Sequence, residues 1–199
     1  MNRKVVIGAV VAAVVVVGGL LVSKAMRLQS EAAKWSGPVK EIIDEQVTRE
    51  GKETRARYVS MIDGPSDAVL QAIWSVEDSP KTVENIKMAK VLESQGDTKV
   101  VEINLQALTL PLQNLTTQWT IDRQKKQVTF KTLKSQAQDI EALYVVEASP
   151  DGKRTRLTYT AVIRDKIALS LPQSVIDSAN RETYVNTVRG VQKTVKPQG

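Results

Sequence analysis

The sequence predicts an α+β domain, an antiparallel sheet curled around one long C-terminal helix, preceded by a transmembrane helix. Three observations carry this. Val5–Val22 is 18 residues without a charge. From Thr54 to Arg164 most segments alternate apolar and polar residues with the period of a half-buried strand. After Leu171-Pro172 the apolar spacing changes to that of a helix.

The first segment holds nine Val, one Ile, two Leu, three Ala and three Gly. As a helix it would rise about 27 Å, close to the hydrocarbon thickness of a bilayer. The rival reading is a cleaved signal peptide, whose apolar region is shorter and ends in a small-x-small site. Ser23-Lys24-Ala25 fits that site poorly because lysine stands in its middle. Residues 1–25 are therefore expected to be an uncleaved anchor and residues 26–49 a tether. Trp35 in that tether suits either a membrane interface or a place packed on the domain. The short basic head, Arg3 and Lys4, favours a cytoplasmic N-terminus. The expectation is a single-pass protein of a bacterial inner membrane with its domain facing the periplasm.

Within the domain, expected at residues 50–195 with a tail at 196–199, Thr54–Ile62 is the first strand. It stops at Asp63-Gly64-Pro65, and Ser66 caps a short helix over Asp67–Trp74. A second short helix or irregular segment is expected near Thr82–Ile86. Strands follow at Lys87–Ser94, Lys99–Leu108, Leu115–Asp122, Gln127–Leu133, Ile140–Ala148 and Arg154–Arg164, which makes about six or seven in all. The turns between them include Gln95-Gly96-Asp97 and Ser149-Pro150-Asp151-Gly152. Gln173–Val195 is the long helix, with Pro172 at its start and Ile176, Asn180, Tyr184, Val188, Val191 and Val195 on one stripe. A one-faced sheet must cover its apolar side, and this helix is the only long element available. A curled sheet gripping one helix leaves an apolar space between them.

Composition narrows the function. The chain has no cysteine and no histidine. It therefore lacks thiol chemistry, the usual general base and the usual metal ligand. Net charge is +6, but residues 1–40 hold six basic residues against Glu31, leaving 22 basic and 21 acidic residues beyond. The basic excess flanks the apolar segment, where anionic headgroups sit. A nearly neutral domain has no electrostatic footprint for nucleic acid. Glu102, Glu141 and Tyr144 are acid–base candidates with no spacing that pairs them, and no phosphate loop, metal cluster or nucleophile elbow is present. No cofactor is expected.

Three stretches resemble the START-like superfamily of lipid-transfer and polyketide-cyclase domains, the helix-grip fold. They are Arg57–Trp74 (RYVSMIDGPSDAVLQAIW), Gly152–Thr160 (GKRTRLTYT) and Ile167–Ile176 (IALSLPQSVI), and the resemblance covers residues 50–195. The chain departs from the pattern at Ala142-Leu143-Tyr144, where many members show Gly-x-Trp, and at Gln113-Asn114-Leu115, where lipid-transfer members often carry an acidic-Arg-acidic cluster. The resemblance implies a cavity for a lipid, sterol, quinone or polyketide-like molecule. Alternation turns Val101, Ile103, Leu105, Trp119, Ile121, Phe130, Leu157, Tyr159 and Ile163 inward, opposite Ile176, Tyr184 and Val188. Trp119 and Tyr159 add a polar handle to a large apolar surface. Three functions follow as expectations: non-catalytic binding or transfer of a hydrophobic ligand beside the membrane, a tethered protein-interaction domain with a filled core, or a cyclase-type enzyme.

Overall fold

The computed structural model describes residues 34–35, 37–107, 112–167 and 172–196. The sheet and both helices belong to one unit, Val39–Gly199. The strands are β1 (Lys40–Glu50), β2 (Glu53–Asp63), β3 (Ile86–Gln95), β4 (Thr98–Leu105), β5 (Gln113–Asp122), β6 (Gln127–Lys134), β7 (Gln138–Ala148) and β8 (Arg154–Asp165). Helix α1 spans Ser66–Trp74, a 3-10 segment spans Val76–Lys81, and helix α2 spans Gln173–Val195.

The strands form one antiparallel sheet in the order β1-β2-β8-β7-β6-β5-β4-β3. β3 to β8 run as a meander of neighbours, and β8 then pairs with β2 over its full length, Glu53 opposite Arg164 through Asp63 opposite Arg154. The one long crossover, from β2 to the opposite edge at β3, carries α1 and the 3-10 segment. Irregular register in β1, β3 and between β5 and β6 bends the strands.

Two details differ from the sequence reading. The sheet has eight strands rather than six or seven, because Lys40–Glu50 is an edge strand hydrogen-bonded to β2. This strand lies where a tether reaching residue 49 was expected. The second short helical element sits at Val76–Lys81, before the Thr82–Ile86 stretch, because Thr82 N and Val83 N both bond back to the Ser79 carbonyl and close it. The expected anchor, Val5–Val22, lies outside the described residues. Among the described residues, no helix is long and apolar enough to cross a membrane.

The core lies between the sheet and the two helices. One cluster joins Tyr58 and Ile62 of β2, Val69, Leu70 and Ile73 of α1, Val101 of β4, Val128 of β6, Leu157 of β8 and Tyr184, Val188 and Val191 of α2. The helix α2 is also fastened to the edge strand: Arg181 Nε lies 2.9 Å from Glu45 Oε2 and Arg189 Nε lies 3.0 Å from Glu41 Oε1. A hydroxyl chain runs the same way. The Tyr184 hydroxyl pairs with Ser60 Oγ at 2.5 Å, and Ser60 donates to the Glu41 carbonyl.

Candidate functional site: a cavity between sheet and helix

A cavity of about 400 Å³ lies between the inner face of the sheet and α2, with α1 and the 3-10 segment closing part of it. The period-two pleat sets its sheet wall. Tyr58, Tyr144 and Tyr159 stand opposite one another on β2, β7 and β8 because Tyr159 is the register partner of both other tyrosines. Trp119 stands opposite Phe130 in the same way. The helix wall is the face bearing Ile176, Ala179, Asn180, Thr183, Tyr184 and Thr187, which recur at helical spacing.

Aromatic residues are only 4 % of this chain, yet most of them meet here. Ring centroids lie 4.7 Å apart for Trp119–Phe130, 6.3 Å for Phe130–Tyr144, 4.8 Å for Tyr144–Tyr159, 5.3 Å for Tyr159–Tyr184 and 4.8 Å for Tyr184–Tyr58. These are the separations of stacked and tilted aromatic pairs. All four tyrosines of the protein belong to this run. Burial pushes each phenol pKa up, to about 12 for Tyr58, further for Tyr159 and Tyr184, and well above the ordinary phenol value for Tyr144. The phenols are therefore neutral at physiological pH.

Charge is nearly absent from the wall. The one ionisable carboxylate among the described lining residues is Asp78, which is exposed at the mouth and pairs with Lys81 at 2.7 Å. Many lining polar groups are already engaged. The hydroxyls of Thr183, Thr187 and Thr194 donate to helix carbonyls one turn back. The Gln138 amide donates to Asp165 Oδ1 at 2.8 Å. Trp119 Nε1 donates to Thr117 Oγ1 at 2.8 Å, and Thr117 in turn donates to the Val101 carbonyl. The indole handle anticipated for Trp119 is thus turned into the sheet, whereas the Tyr159 hydroxyl has no partner among the described residues.

Of the residues expected on the cavity, Ile103, Leu105, Trp119, Phe130, Tyr159, Ile163, Ile176 and Tyr184 line it. Val101, Ile121, Leu157 and Val188 face the same way but lie in the packed core. They belong to one packed cluster with Val69, Leu70 and Ile73 of α1, which leaves no space beside them for a ligand. Sequence reasoning missed Tyr58, Tyr144 and Asn180 as cavity residues, although Asn180 stood on the predicted stripe. Of the acid–base candidates, Glu141 is on the opposite face, bonded to Arg164 at 2.9 Å, and Glu102 accepts from Asn114 at 3.1 Å outside the cavity. Only Tyr144 borders it. Among the described residues, no cluster of acidic side chains could hold a metal ion.

No known family profile matches the sequence, and no curated protein is similar to it. Solved structures are similar in fold. The Zhui aromatase/cyclase from Streptomyces sp. R1128 superposes with a TM-score of 0.63 at 15 % identity, covering 74 % of this chain and 98 % of that one. A START superfamily protein from Mycobacterium smegmatis gives 0.58 at 11 % identity, covering 71 % and 96 %. The major latex-like protein 151 from Panax ginseng gives 0.58 at 16 % identity, covering 74 % and 100 %. The chain therefore has the helix-grip fold of the START-like proteins, as its sequence resemblance implies. At such identities the likeness establishes the fold alone.

Proposed function

We propose that this protein binds a hydrophobic small molecule in the cavity between sheet and α2, without transforming it, while held beside a membrane by Val5–Val22. The observation that carries this is the cavity itself: about 400 Å³ walled by aliphatic and aromatic side chains in a fold whose other core positions are closely packed. That volume falls in the roughly 300–1,000 Å³ range of small-molecule sites. A non-catalytic role is favoured by the wall's chemistry, since the one carboxylate among its described residues, Asp78, is exposed and its phenols stay protonated. An anchor would keep the cavity where apolar ligands concentrate, raising their effective concentration. The same reading puts the protein in a bacterial inner membrane with the domain in the periplasm.

The test is titration with the neutral fluorescent probe N-phenyl-1-naphthylamine. Saturable binding at one site per chain is expected, weakened at least tenfold by Ile103→Trp, which projects a larger ring into the cavity. Binding that never saturates, or that ignores Ile103→Trp, contradicts the reading. Protease accessibility on intact cells and spheroplasts tests the orientation: digestion only after the outer membrane is opened is expected, and protection in spheroplasts contradicts it.

A further inference from the structure

One edge of the sheet is guarded and the other is open. β3, at one end of the strand order, breaks register twice, between Ile86 and Met88 and between Val91 and Glu93, and carries the exposed Lys87 and Lys90. Bulges and lysines of this kind keep an edge from pairing with another chain. β1, at the other end, is irregular only between Lys40 and Asp44 and pairs with β2 without a break from there to Glu50. Among the described residues, no strand lies on its outer side. Ile43 and Val47 on this strand are large apolar side chains, yet each is 39 % exposed.

The strand is complementary to itself. Laid antiparallel against a second copy, about a twofold axis through Glu45, it sets Lys40 opposite Glu50, Glu41 opposite Arg49 and Ile43 opposite Val47. Each of these pairs then occurs twice. The register also brings together the two charges of β1 that lack a partner. Glu41, Asp44, Glu45 and Arg49 already hold Arg189, Arg57, Arg181 and Asp165 of their own chain. Lys40 and Glu50 have no ion-pair partner among the described residues. Glu50 instead stands opposite Glu53 across the β1–β2 turn, and like charges so placed repel. A slip of the axis by one residue to Asp44 or Gln46 sets Ile43 opposite Glu45 or Arg49 and parts Lys40 from Glu50. The two copies of Glu45 on the axis are each neutralised by Arg181, whose Nε lies 2.9 Å away.

We propose that β1 pairs antiparallel with β1 of a second copy of this chain, centred on Glu45, so that two eight-stranded sheets join edge to edge. One pair of edge strands is a small interface, and confinement of the chains to one membrane, as proposed above, favours it. β1 also holds α2 through Glu41 and Glu45, so the joint braces the helix wall of each cavity.

The chain has no cysteine, so an introduced one reports alone. The full chain is oxidised in intact cells with copper phenanthroline, and disulfide dimers are read on non-reducing gels. Glu45→Cys, on the axis, should cross-link to its own copy, since paired strands bring opposite residues within disulfide range. Ile43→Cys should cross-link to a differently tagged, co-expressed Val47→Cys, and neither should cross-link to itself. Lys90→Cys, exposed on β3, reports chance collisions. The charges give an independent arm. With Glu45→Cys present, Lys40→Glu or Glu50→Lys alone should lower cross-linking about fivefold, because two contacts per dimer turn repulsive, and both together should restore it. Three results would each overturn the proposal: Glu45→Cys cross-linking no more than Lys90→Cys, Ile43→Cys cross-linking to itself as readily as to Val47→Cys, or a double charge swap no better than the single ones. None of them bears on cavity binding or on the anchor, which have their own tests above.

Discussion

Gly190 in α2 offers a test in which the sign alone discriminates. Glycine in an exposed helix interior is unfavourable by about 1 kcal/mol relative to alanine, so Gly190→Ala at an unpacked site would stabilise the protein by that amount. The structure predicts the reverse. A Cβ built at Gly190 falls 2.5 Å from Val83 Cγ2, 3.1 Å from the Thr82 carbonyl oxygen and 3.2 Å from its carbon. Carbon–carbon contacts are optimal near 3.5–4.0 Å, so the helix and the 82–83 segment must part by about 1 Å. Val83 is 4 % exposed and stiff at χ1, and the Thr82 atoms are backbone, so rotating a side chain cannot relieve the contact. Overpacking of this kind costs about 1–3 kcal/mol. Set against the propensity gain, Gly190→Ala should be destabilising by about 0–2 kcal/mol. Thr82, Val83 and Val191 line the cavity, so parting them should also widen its mouth and speed ligand release. Urea unfolding followed by circular dichroism measures the first effect and probe dissociation the second. A variant about 1 kcal/mol more stable than wild type, with unchanged release, would refute the contact between α2 and the crossover.

Three further outcomes follow from the packing. The tyrosine pKa values are raised above an unfolded value near 10. Their stabilisation is complete below pH 10 and declines above it, so absorbance of tyrosinate at pH 10 should stay far below half of the total and rise only as ellipticity is lost; half-ionisation at pH 10 in a folded protein would contradict the buried run. Lys99 is 3 % exposed, paired with Glu77 and placed 4.2 Å over the Trp74 ring. Glu77→Gln should cost about 1–3 kcal/mol in chemical denaturation by leaving that ammonium unpaired, whereas Lys99→Met should be near neutral. Tyr184→Phe removes the bond to Ser60 and should cost about 0.5–1.5 kcal/mol in the same assay while leaving Ser60 bonded to Glu41.

The regular elements were legible because their cause is local. In strands such as β4, β5, β7 and β8 the alternation that buries one face also marks the strand, and the α2 stripe ended at the observed boundary, Gln173–Val195. β1 was not legible. Most of its residues are exposed, and it is held at a sheet edge by hydrogen bonds to β2, so no apolar face is written into Lys40–Glu50. Its one local sign is Gly51, whose φ of +58° serves the tight turn into β2. For the cavity, alternation reports which face a residue takes and not how deep the space beneath it is. Val101 and Ile103 read alike, yet the first is packed in the core and the second borders the cavity. Tyr58 escaped notice because Tyr58–Ile62 is buried on both faces, which erases the period. Tyr144 was read as an acid–base candidate, and its place among the other aromatics follows from pairing across β6, β7 and β8, which is non-local. Trp119 shows the converse: its face was readable, while the turn of its N–H toward Thr117 was not.

The central claim is that the space between sheet and α2 holds a small molecule. Native mass spectrometry of the full chain, extracted from its own membranes without added ligand, tests this most directly. A single adduct of a few hundred daltons is expected, one that survives gentle transfer, leaves on collisional activation and is lost in Ile103→Trp. A bare mass under gentle conditions, with the same spectrum from wild type and Ile103→Trp, would contradict it.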